Sequence, residues 1–338
     1  MYPSPQKSYM GIYVKNQFDK LTEIMPESII NIFHMQRRIT KITGSLVKYA
    51  KAFLNFTPLY FKSYNVVHVH FFYPMILLGF AYKTLRPKTK LVVTFHGTDL
   101  RKHIQSKLNI KVYGKILKSA DFVIAVGKEL ATELETKLQR KADAILSAGV
   151  DEKVFYNLPY TEKIYDFLFV GTFIKTKGID IYIDAIKTLG DNNLKFCFVG
   201  SGEYKSEISK ITNCDADIFE NLDQNQIRLL YNQSRFLIVP SRNEAFGLVV
   251  TEAMFCGLPV IVSGAGGLKD QVSNNYNGFI LEQNDVKHLS EAIIKTNSLS
   301  NFDYDRIKAN ALQSNKIHQL SSVCKEIKDI YIKILNEK

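Results

Sequence analysis

The stretch that decides the fold is Ser241-Arg-Asn-Glu-Ala-Phe-Gly-Leu-Val-Val-Thr-Glu-Ala-Met-Phe-Cys-Gly-Leu-Pro-Val260. An apolar run at 236–239 predicts a buried strand before it, and the apolar residues after the turn at Phe246 and Gly247 predict a helix. Glu244 and Glu252 stand on either side of this turn. Free backbone N–H groups and the dipole at a helix N-terminus attract anions. The unit therefore predicts a site for a ligand with both phosphates and hydroxyls, such as a nucleotide-sugar.

The whole string resembles the donor-site signature of the retaining group 1 (family 4) glycosyltransferases, E-x-F-G-x-x-x-x-E-A-x-x-x-G-x-P-V. The matching residues are Glu244, Phe246, Gly247, Glu252, Ala253, Gly257, Pro259 and Val260. The resemblance implies that Glu244 holds sugar hydroxyls and Glu252 the ribose, with backbone N–H groups of Phe246, Gly247 and Leu248 at the diphosphate. The alternative for Glu252 is a structural salt bridge, because a carboxylate in an apolar helix needs a partner.

Both halves of the 338-residue chain alternate apolar strands with helices, which predicts an α/β fold of two doubly wound, Rossmann-like domains. We expect an N-terminal acceptor-side domain at 1–155, a nucleotide-sugar-binding domain at 156–315 and a C-terminal helix at 316–338. The first half includes a predicted strand at 28–33 and a basic amphipathic helix at 37–56. The resemblance implies the GT-B architecture, in which two domains face each other across a cleft and the last helix crosses back to the first domain.

The start of the chain departs from the family pattern. The segment up to Gly11 resembles the loop that follows the family's first strand, and its glycine would lie near the donor diphosphate. No strand precedes that loop in this sequence, so the first strand of the N-terminal domain is missing here: either the true start of the protein lies upstream, or the sheet has lost a strand.

Histidines follow the predicted strands of the first half. His96 comes directly after the apolar run at 90–95, at a sheet edge where ligands bind. A turn histidine is the ordinary alternative, but the family has a T-x-H-G element at this point, which implies that His96 contacts the donor sugar. His68 and His70 alternate onto one strand face, as structural residues or as the lining of an acceptor pocket.

Two loops of the second half complete the expected donor site. Lys177 matches a family lysine just before a helix, where its charge can reach a diphosphate, and Lys175 lies in the same loop. Thr172 stands where the family has an arginine, a departure that removes one phosphate contact. Gly200 belongs to a G-x-G element that either contacts the nucleotide or only makes a tight turn.

Composition and charge bear on the partners and the location of the protein. Residues 1–150 hold 23 lysines and arginines against 9 acidic residues, a net charge of +14. The rest of the chain has a net charge of −3, which gives +11 in total. The charge suits an anionic membrane surface, a phosphorylated acceptor or nucleic acid, although no nucleic-acid motif accompanies it. The predicted membrane or acceptor patch is Arg37, Arg38, Lys41 and Lys48. Four scattered cysteines and the lack of an apolar leader favour a cytoplasmic protein, and the basic charge favours a peripheral position on the inner face of the plasma membrane.

These features together predict a retaining, metal-independent enzyme with no cofactor beyond its donor substrate, a UDP- or GDP-sugar. We expect His96 and Glu244 to be catalytic, and a hexose or N-acetylhexosamine to pass to a hydroxyl of a glycan or lipid-linked glycan in cell-surface polysaccharide synthesis. One alternative is a nucleotide-sugar epimerase on the same fold. Another is a non-catalytic partner subunit of a glycosyltransferase, which Thr172 and the missing strand keep open.

Overall fold

The computed structural model describes residues 11–34, 43–104, 106–190 and 193–337. The chain divides into two compact units. Unit 1 contains residues 1–149 and 320–338, and unit 2 contains residues 150–319. The boundary falls after Gly149, a few residues before the predicted boundary at 155.

Unit 1 alternates helices with short strands. Its elements before the unit boundary are α1 (Ile12–Ile24), α2 (Thr43–Tyr60), β1 (Val66–His70), α3 (Phe72–Leu85), β2 (Lys90–Phe95), α4 (Thr98–His103), α5 (Lys107–Leu117), β3 (Phe122–Ala125), α6 (Lys128–Leu138) and β4 (Ala144–Ile145). The described strands form a parallel sheet in the order β1-β2-β3-β4. Since the strands are parallel, the residues after β1 and β2, including His96, share one edge.

The N-terminal segments of unit 1 differ from the prediction. Residues 28–33 are coil rather than a strand, because their apolar side chains divide between two clusters: Ile30 packs against one and Phe33 against another. Gly11 is the N-cap residue of α1.

Unit 2 contains the sequence stretch quoted first. Its elements are β5 (Tyr165–Val170), a 3₁₀ turn (Lys175–Lys177), α7 (Ile179–Thr188), β6 (Lys195–Val199), α8 (Lys205–Ile208), β7 (Asp215–Phe219), α9 (Gln224–Gln233), β8 (Ser234–Val239), α10 (Leu248–Phe255), β9 (Val260–Val262), α11 (Leu268–Gln271), β10 (Gly278–Ile280), α12 (Val286–Asn297), α13 (Asn301–Gln313) and a 3₁₀ turn (Lys316–His318). The described sheet is parallel, with the order β10-β9-β8-β5-β6-β7.

The sheet of unit 2 is buried on both faces, as continuous apolar strands require. Strand alternation places Phe167 and Phe169 of β5 in one core cluster and Leu168 in the other. Strand order reverses between β5 and β8, which are hydrogen-bonded neighbours although the two strands β6 and β7 separate them in sequence. Ligands in open parallel sheets bind outside the strand C-termini at such a reversal, so the loops after β5 and β8 are the expected place.

The last helix, α14 (Leu320–Asn336), belongs to unit 1 although it follows unit 2 in sequence. Its apolar face, including Val323, Ile327 and Ile330, packs in one cluster with Val92 of β2 and Ile124 of β3. Burying a run of aliphatic side chains contributes about 1.5–3 kcal/mol for each. The end of the chain is therefore a structural part of the first sheet's covering layer.

Candidate functional site

The loop at residues 240–247, here called the glutamate loop, connects β8 to α10 in unit 2. Its first part is fixed by side chains of neighbouring loops: the hydroxyl of Ser263 donates to the Ser241 carbonyl at 2.5 Å, and the Asn284 amide donates to the Pro240 carbonyl at 3.0 Å. Both carbonyls are therefore satisfied away from solvent, and the loop leaves the sheet on a defined path towards Glu244.

The lysine turn, residues 175–178, packs directly against the glutamate loop. At Gly178, with φ at +71°, a Cβ atom would lie 1.8 Å from the Pro240 carbonyl oxygen, so only glycine fits. This close approach brings Lys177 to Glu244, where Nζ lies 2.5 Å from Oε2. Two residues that the sequence assigned separately to the donor site thus meet, and each remains partly exposed, at 32% for Lys177 and 16% for Glu244.

A second glycine turn supports Glu244 from the other side. Gly266 has φ at +55°, and a Cβ atom there would lie 1.6 Å from the Glu244 carbonyl oxygen. The backbone N–H of Gly267 donates to that same oxygen at 3.4 Å. The carboxylate of Glu244 is consequently presented by a backbone that is held between two glycine turns.

The N-terminus of α10 is held in place by Gln271. Gly247 caps the helix with φ at +88°, and the Gln271 side-chain amide donates to the Phe246 carbonyl at 2.6 Å. The hydroxyl of Thr251 in turn donates to the Gln271 side-chain oxygen at 2.6 Å. Because the first N–H groups of a helix have no acceptor within it, those of Leu248 and Val249 can bind an anion.

Glu252 lies one turn into α10 and contacts a tyrosine. The buried Tyr231 hydroxyl donates to Glu252 Oε2 at 2.9 Å. Burial raises the pKa of Glu252 to about 7, although the hydrogen bond from Tyr231 opposes the shift. The structure therefore gives Glu252 a hydroxyl partner rather than the salt bridge that was the alternative.

The loops after β5 and β6 also meet. At Gly200 a Cβ atom would lie 1.9 Å from the Gly171 carbonyl oxygen, so this glycine is required for loop packing. Thr172 is exposed. Lys175 is exposed as well, and its backbone carbonyl accepts a hydrogen bond from Arg242 at 2.6 Å.

Unit 1 carries a group of histidines at the edge after β1 and β2. His96 Nε2 lies 3.2 Å from His70 Nδ1, and His70 stacks on His68 at 4.2 Å between ring centroids. His68 bonds Tyr331 of α14 at 2.6 Å. Burial lowers the pKa of His70 to about 4 and holds the pKa of His68 and His96 well below its usual value, so the rings are neutral.

The backbone after β2 fixes His96. Buried Asp99 accepts from the His96 N–H at 3.2 Å and from the Phe72 N–H at 2.9 Å. Rings of Tyr13 and Phe71 lie 5.1 and 4.6 Å from the His96 ring. Gly11, which caps α1 with φ at +69°, is therefore two residues from a ring that contacts His96.

The predicted basic patch is Arg37, Arg38, Lys41 and Lys48. Arg37, Arg38 and Lys41 lie outside the described residues, and Lys48 falls within α2 with its side chain undescribed. Over the described ranges, no helix is long and apolar enough to cross a bilayer. The same ranges hold no group of three or more His, Cys, Asp or Glu side chains arranged to bind a metal ion.

Several contacts of the site were not apparent from the sequence. Tyr231 and Gln271 are distant in sequence from the residues they hold, and no motif marks them. The sequence did indicate where His70 lies. Strand alternation places it on the same face as His68, and it ends its strand at the sheet edge where His96 also lies. Its contact with His96 depends on the register of β1 against β2.

Comparisons with known proteins identify the family. A family model for group 1 glycosyl transferases matches residues 151–314, and a model for glycosyltransferase family 4 matches residues 23–153. An uncharacterized glycosyltransferase of Methanocaldococcus jannaschii is 32% identical over 241 residues, which are 68% of this chain and 65% of that relative's length.

Two solved structures share the fold. Sucrose-phosphate synthase of Thermosynechococcus elongatus has a TM-score of 0.75 at 20% identity, covering 97% of this chain and 94% of that one. HepE of Anabaena, in complex with UDP and glucose, has a TM-score of 0.73 at 17% identity, covering 95% of each chain. The two parallel α/β sheets of this protein are those of a GT-B fold. The chain belongs to the group 1, family 4 glycosyltransferases.

Proposed function

We propose that the protein is a retaining glycosyltransferase that moves a hexose or N-acetylhexosamine from a UDP- or GDP-sugar. The acceptor is a hydroxyl of a glycan or lipid-linked glycan, in cell-surface polysaccharide synthesis. The observation that carries the proposal is the convergence of Lys177 and Glu244 beside the N-terminus of α10. A cation, a carboxylate and free helix N–H groups suit the diphosphate and hydroxyls of one donor. HepE, which shares the fold, holds UDP and glucose.

In this proposal, residues of unit 2 bind the donor. Lys177 and the N–H groups at the start of α10 stabilise the negative charge that develops on the departing diphosphate. Glu244 accepts hydrogen bonds from sugar hydroxyls, and Glu252 accepts from the ribose. Because these groups already supply positive charge to the diphosphate, we propose that transfer needs no metal ion.

His96 is the group that we assign to the donor sugar from unit 1. Its ring is neutral, so it can donate or accept a hydrogen bond but brings no charge to the reaction. A fixed neutral imidazole is suited to hold a sugar hydroxyl. In this proposal the leaving diphosphate accepts the proton of the acceptor hydroxyl as the new glycosidic bond forms on the same face of the sugar.

A thermal-shift screen of nucleotide-sugars tests donor binding, since a ligand of the native state raises the unfolding temperature. We expect one UDP- or GDP-sugar to stabilise the wild type and not the Glu244→Ala variant. NMR of the anomeric proton in the product then tests retention, and activity after EDTA treatment tests metal independence. Stabilisation by no nucleotide-sugar would contradict the proposal.

The two alternatives give different outcomes in the same experiments. An epimerase converts the sugar of its donor without an acceptor, and the C2 or C4 proton signals of the nucleotide-sugar report it. A non-catalytic partner subunit binds no donor and turns over none, and the exposed Thr172 in place of a family arginine is the feature that favours it.

We further propose a cytoplasmic location on the inner face of the plasma membrane, supported by the +14 charge of residues 1–150. Sedimentation with anionic liposomes should show binding that falls with salt and is lost when Arg37, Arg38 and Lys41 are neutralised together. Neutralising Lys287, Lys295 and Arg306 of unit 2 provides a charge-matched control. Equal binding by the two triple variants would argue against the patch.

A further inference from the structure

Arg242 of the glutamate loop joins it to the lysine turn and to the start of α7. Its Nη1 and Nη2 donate to the two carboxylate oxygens of Asp180 at 2.6 and 2.8 Å. Nη1 also donates to the Lys175 carbonyl at 2.6 Å, and the Arg242 backbone N–H donates to the Thr176 carbonyl at 2.9 Å. Arg242 and Asp180, here called the latch, therefore close around Lys177.

The chemistry of the latch favours a fixed geometry over a fluctuating surface pair. The guanidinium group is planar, and two parallel N–H bonds to one carboxylate set both distance and angle. Burial alone would raise the pKa of Asp180, but the hydrogen bond and charge of Arg242 lower it, so the carboxylate is ionised. Asp180 is 20% exposed and Arg242 36%, so water still reaches the pair.

The latch contacts residues on either side of Lys177, so it can fix the position of that lysine. The two residues before Lys177 accept hydrogen bonds from Arg242, and Asp180 follows three residues later. The backbone of Lys177 is thus held on both sides, and its side chain points to Glu244, which lies two residues after Arg242. Thr172 supplies no positive charge, so Lys175 and Lys177 are the cations of this loop.

We propose that Arg242 is a positioning residue for donor binding: through Asp180 and the Lys175 carbonyl it places Lys177 at the β-phosphate of the donor. The inference rests on the proposed function, because it assumes a nucleoside diphosphate in this site. Arg242 itself contacts the protein and not the phosphate. Its loss should therefore weaken diphosphate binding without altering recognition of the nucleoside.

Calorimetric titration of the full chain with UDP, UMP, GDP and GMP tests the latch. Arg242→Ala and Asp180→Asn should each weaken the diphosphate that binds the wild type by about tenfold, since displacing a positioned group by a fraction of an ångström has large effects. The corresponding monophosphate should bind within about twofold of wild type. Arg242→Lys keeps the charge but loses the planar fork, and should lose most of the same affinity.

Arg306→Ala is the matched control. It removes one positive charge from unit 2 and one ion pair, that with Asp303, at a surface site. It should leave both affinities unchanged, and the unfolding temperature of each variant checks that it is folded.

The outcomes separate the latch from the function on which it rests. If the wild type binds UDP or GDP and Arg242→Ala binds it equally well, the latch is overturned and the proposed function stands. Equal losses for diphosphate and monophosphate also overturn the latch, because they indicate a general change in the fold. If the wild type binds neither diphosphate, the proposed function is wrong and the latch falls with it.

Discussion

The Tyr231 hydroxyl donates to Oε2 of Glu252 at 2.9 Å, and it does so from a side chain that is itself fully buried. This hydroxyl is the partner that a carboxylate within an apolar helix requires. A neutral donor stabilises the ionised form only partly, so burial still raises the pKa of Glu252 to about 7. Glu252 therefore titrates near neutral pH, unlike a surface glutamate.

Glu252 should make stability fall as pH rises. In the unfolded chain its pKa is near 4.5 and in the fold about 7, so the folded state binds more protons between these values. Ionisation above pH 7 then costs on the order of 3–4 kcal/mol that is absent below pH 4.5. Glu252→Gln should remove this dependence and gain stability relative to wild type at pH 8 but not at pH 4.5. Urea unfolding at the two pH values measures it.

Glu291→Gln on α12 is the control for that experiment, because its side chain is exposed. We expect parallel stability curves for Glu291→Gln and the wild type. A Glu252→Gln variant whose difference from wild type stays constant between pH 4.5 and 8 would show that Glu252 has an ordinary pKa in the fold.

The pair formed by Lys177 and Glu244 should matter more for turnover than for folding. Glu244→Gln keeps the size of the side chain and removes its charge, and we expect kcat/KM to fall by about 10²-fold or more because a donor contact is lost. The ion pair is partly exposed, so a double-mutant cycle with Lys177→Met should give a coupling in stability of about 1 kcal/mol or less. Initial rates and urea unfolding measure the two quantities.

A loss of activity in Glu244→Gln that is matched by a loss of several kcal/mol in stability would instead identify Glu244 as a structural residue. Glu291→Gln again serves as the control, with rates expected to equal those of the wild type.

Gly266 allows a sharper test of how the glutamate loop is held. Gly266→Ala places a Cβ atom 1.6 Å from the Glu244 carbonyl oxygen, so the loop must move. Gly190→Ala is the matched control, since its φ of +68° carries the same backbone strain but no atom lies within 4 Å of the new Cβ. We expect about 1 kcal/mol of destabilisation in Gly190→Ala. Gly266→Ala should lose more than that together with donor binding.

Thermal unfolding and nucleotide titration of the two alanine variants measure these effects. Equal losses in both would mean that the loop tolerates the added methyl group, and that the positive φ is the whole cost.

The sequence predicts the fold well where apolar runs are local and continuous. The strands at 90–95 and 236–239 contain such runs, and their place in parallel sheets follows from the helices that alternate with them. It fails at β7, where Asp215 and Asp217 interrupt the apolar pattern of an edge strand that needs burial on only part of its surface. It also fails at residues 28–33, whose apolar side chains pack as coil.

The residues of the site likewise divide into those that local motifs predict and those that depend on contacts distant in sequence. Motifs place Glu244 and Lys177 in one site because their spacing from strand ends is a local property. The partner side chains are not local: Arg242 meets Asp180 across 62 residues, and Tyr231 meets Glu252 across 21. Such contacts depend on how the loops pack and which rotamers the side chains adopt. No periodic pattern in a single sequence indicates them.

The pair formed by His70 and His96 should contribute to catalysis with both rings neutral. Both rings are neutral, with the pKa of His70 at about 4, so their contribution to the rate should be constant from pH 6 to pH 8. His96→Ala should lower kcat by about 10²-fold, and His70→Phe by about tenfold, since the latter removes only the contact at 3.2 Å that orients His96. Initial rates across this pH range measure both.

His288→Phe on α12 is the control, because that histidine lies in unit 2 and contacts Asp285 at its own helix cap. ¹⁵N spectra of the histidine side chains give a second readout: His70 and His96 should keep neutral signals down to pH 6, whereas His70→Phe should change the tautomer signals of His96. Because a hydrogen bond at Nε2 determines which nitrogen of His96 carries the proton, unchanged signals in His70→Phe would show that the two rings are neighbours without being coupled.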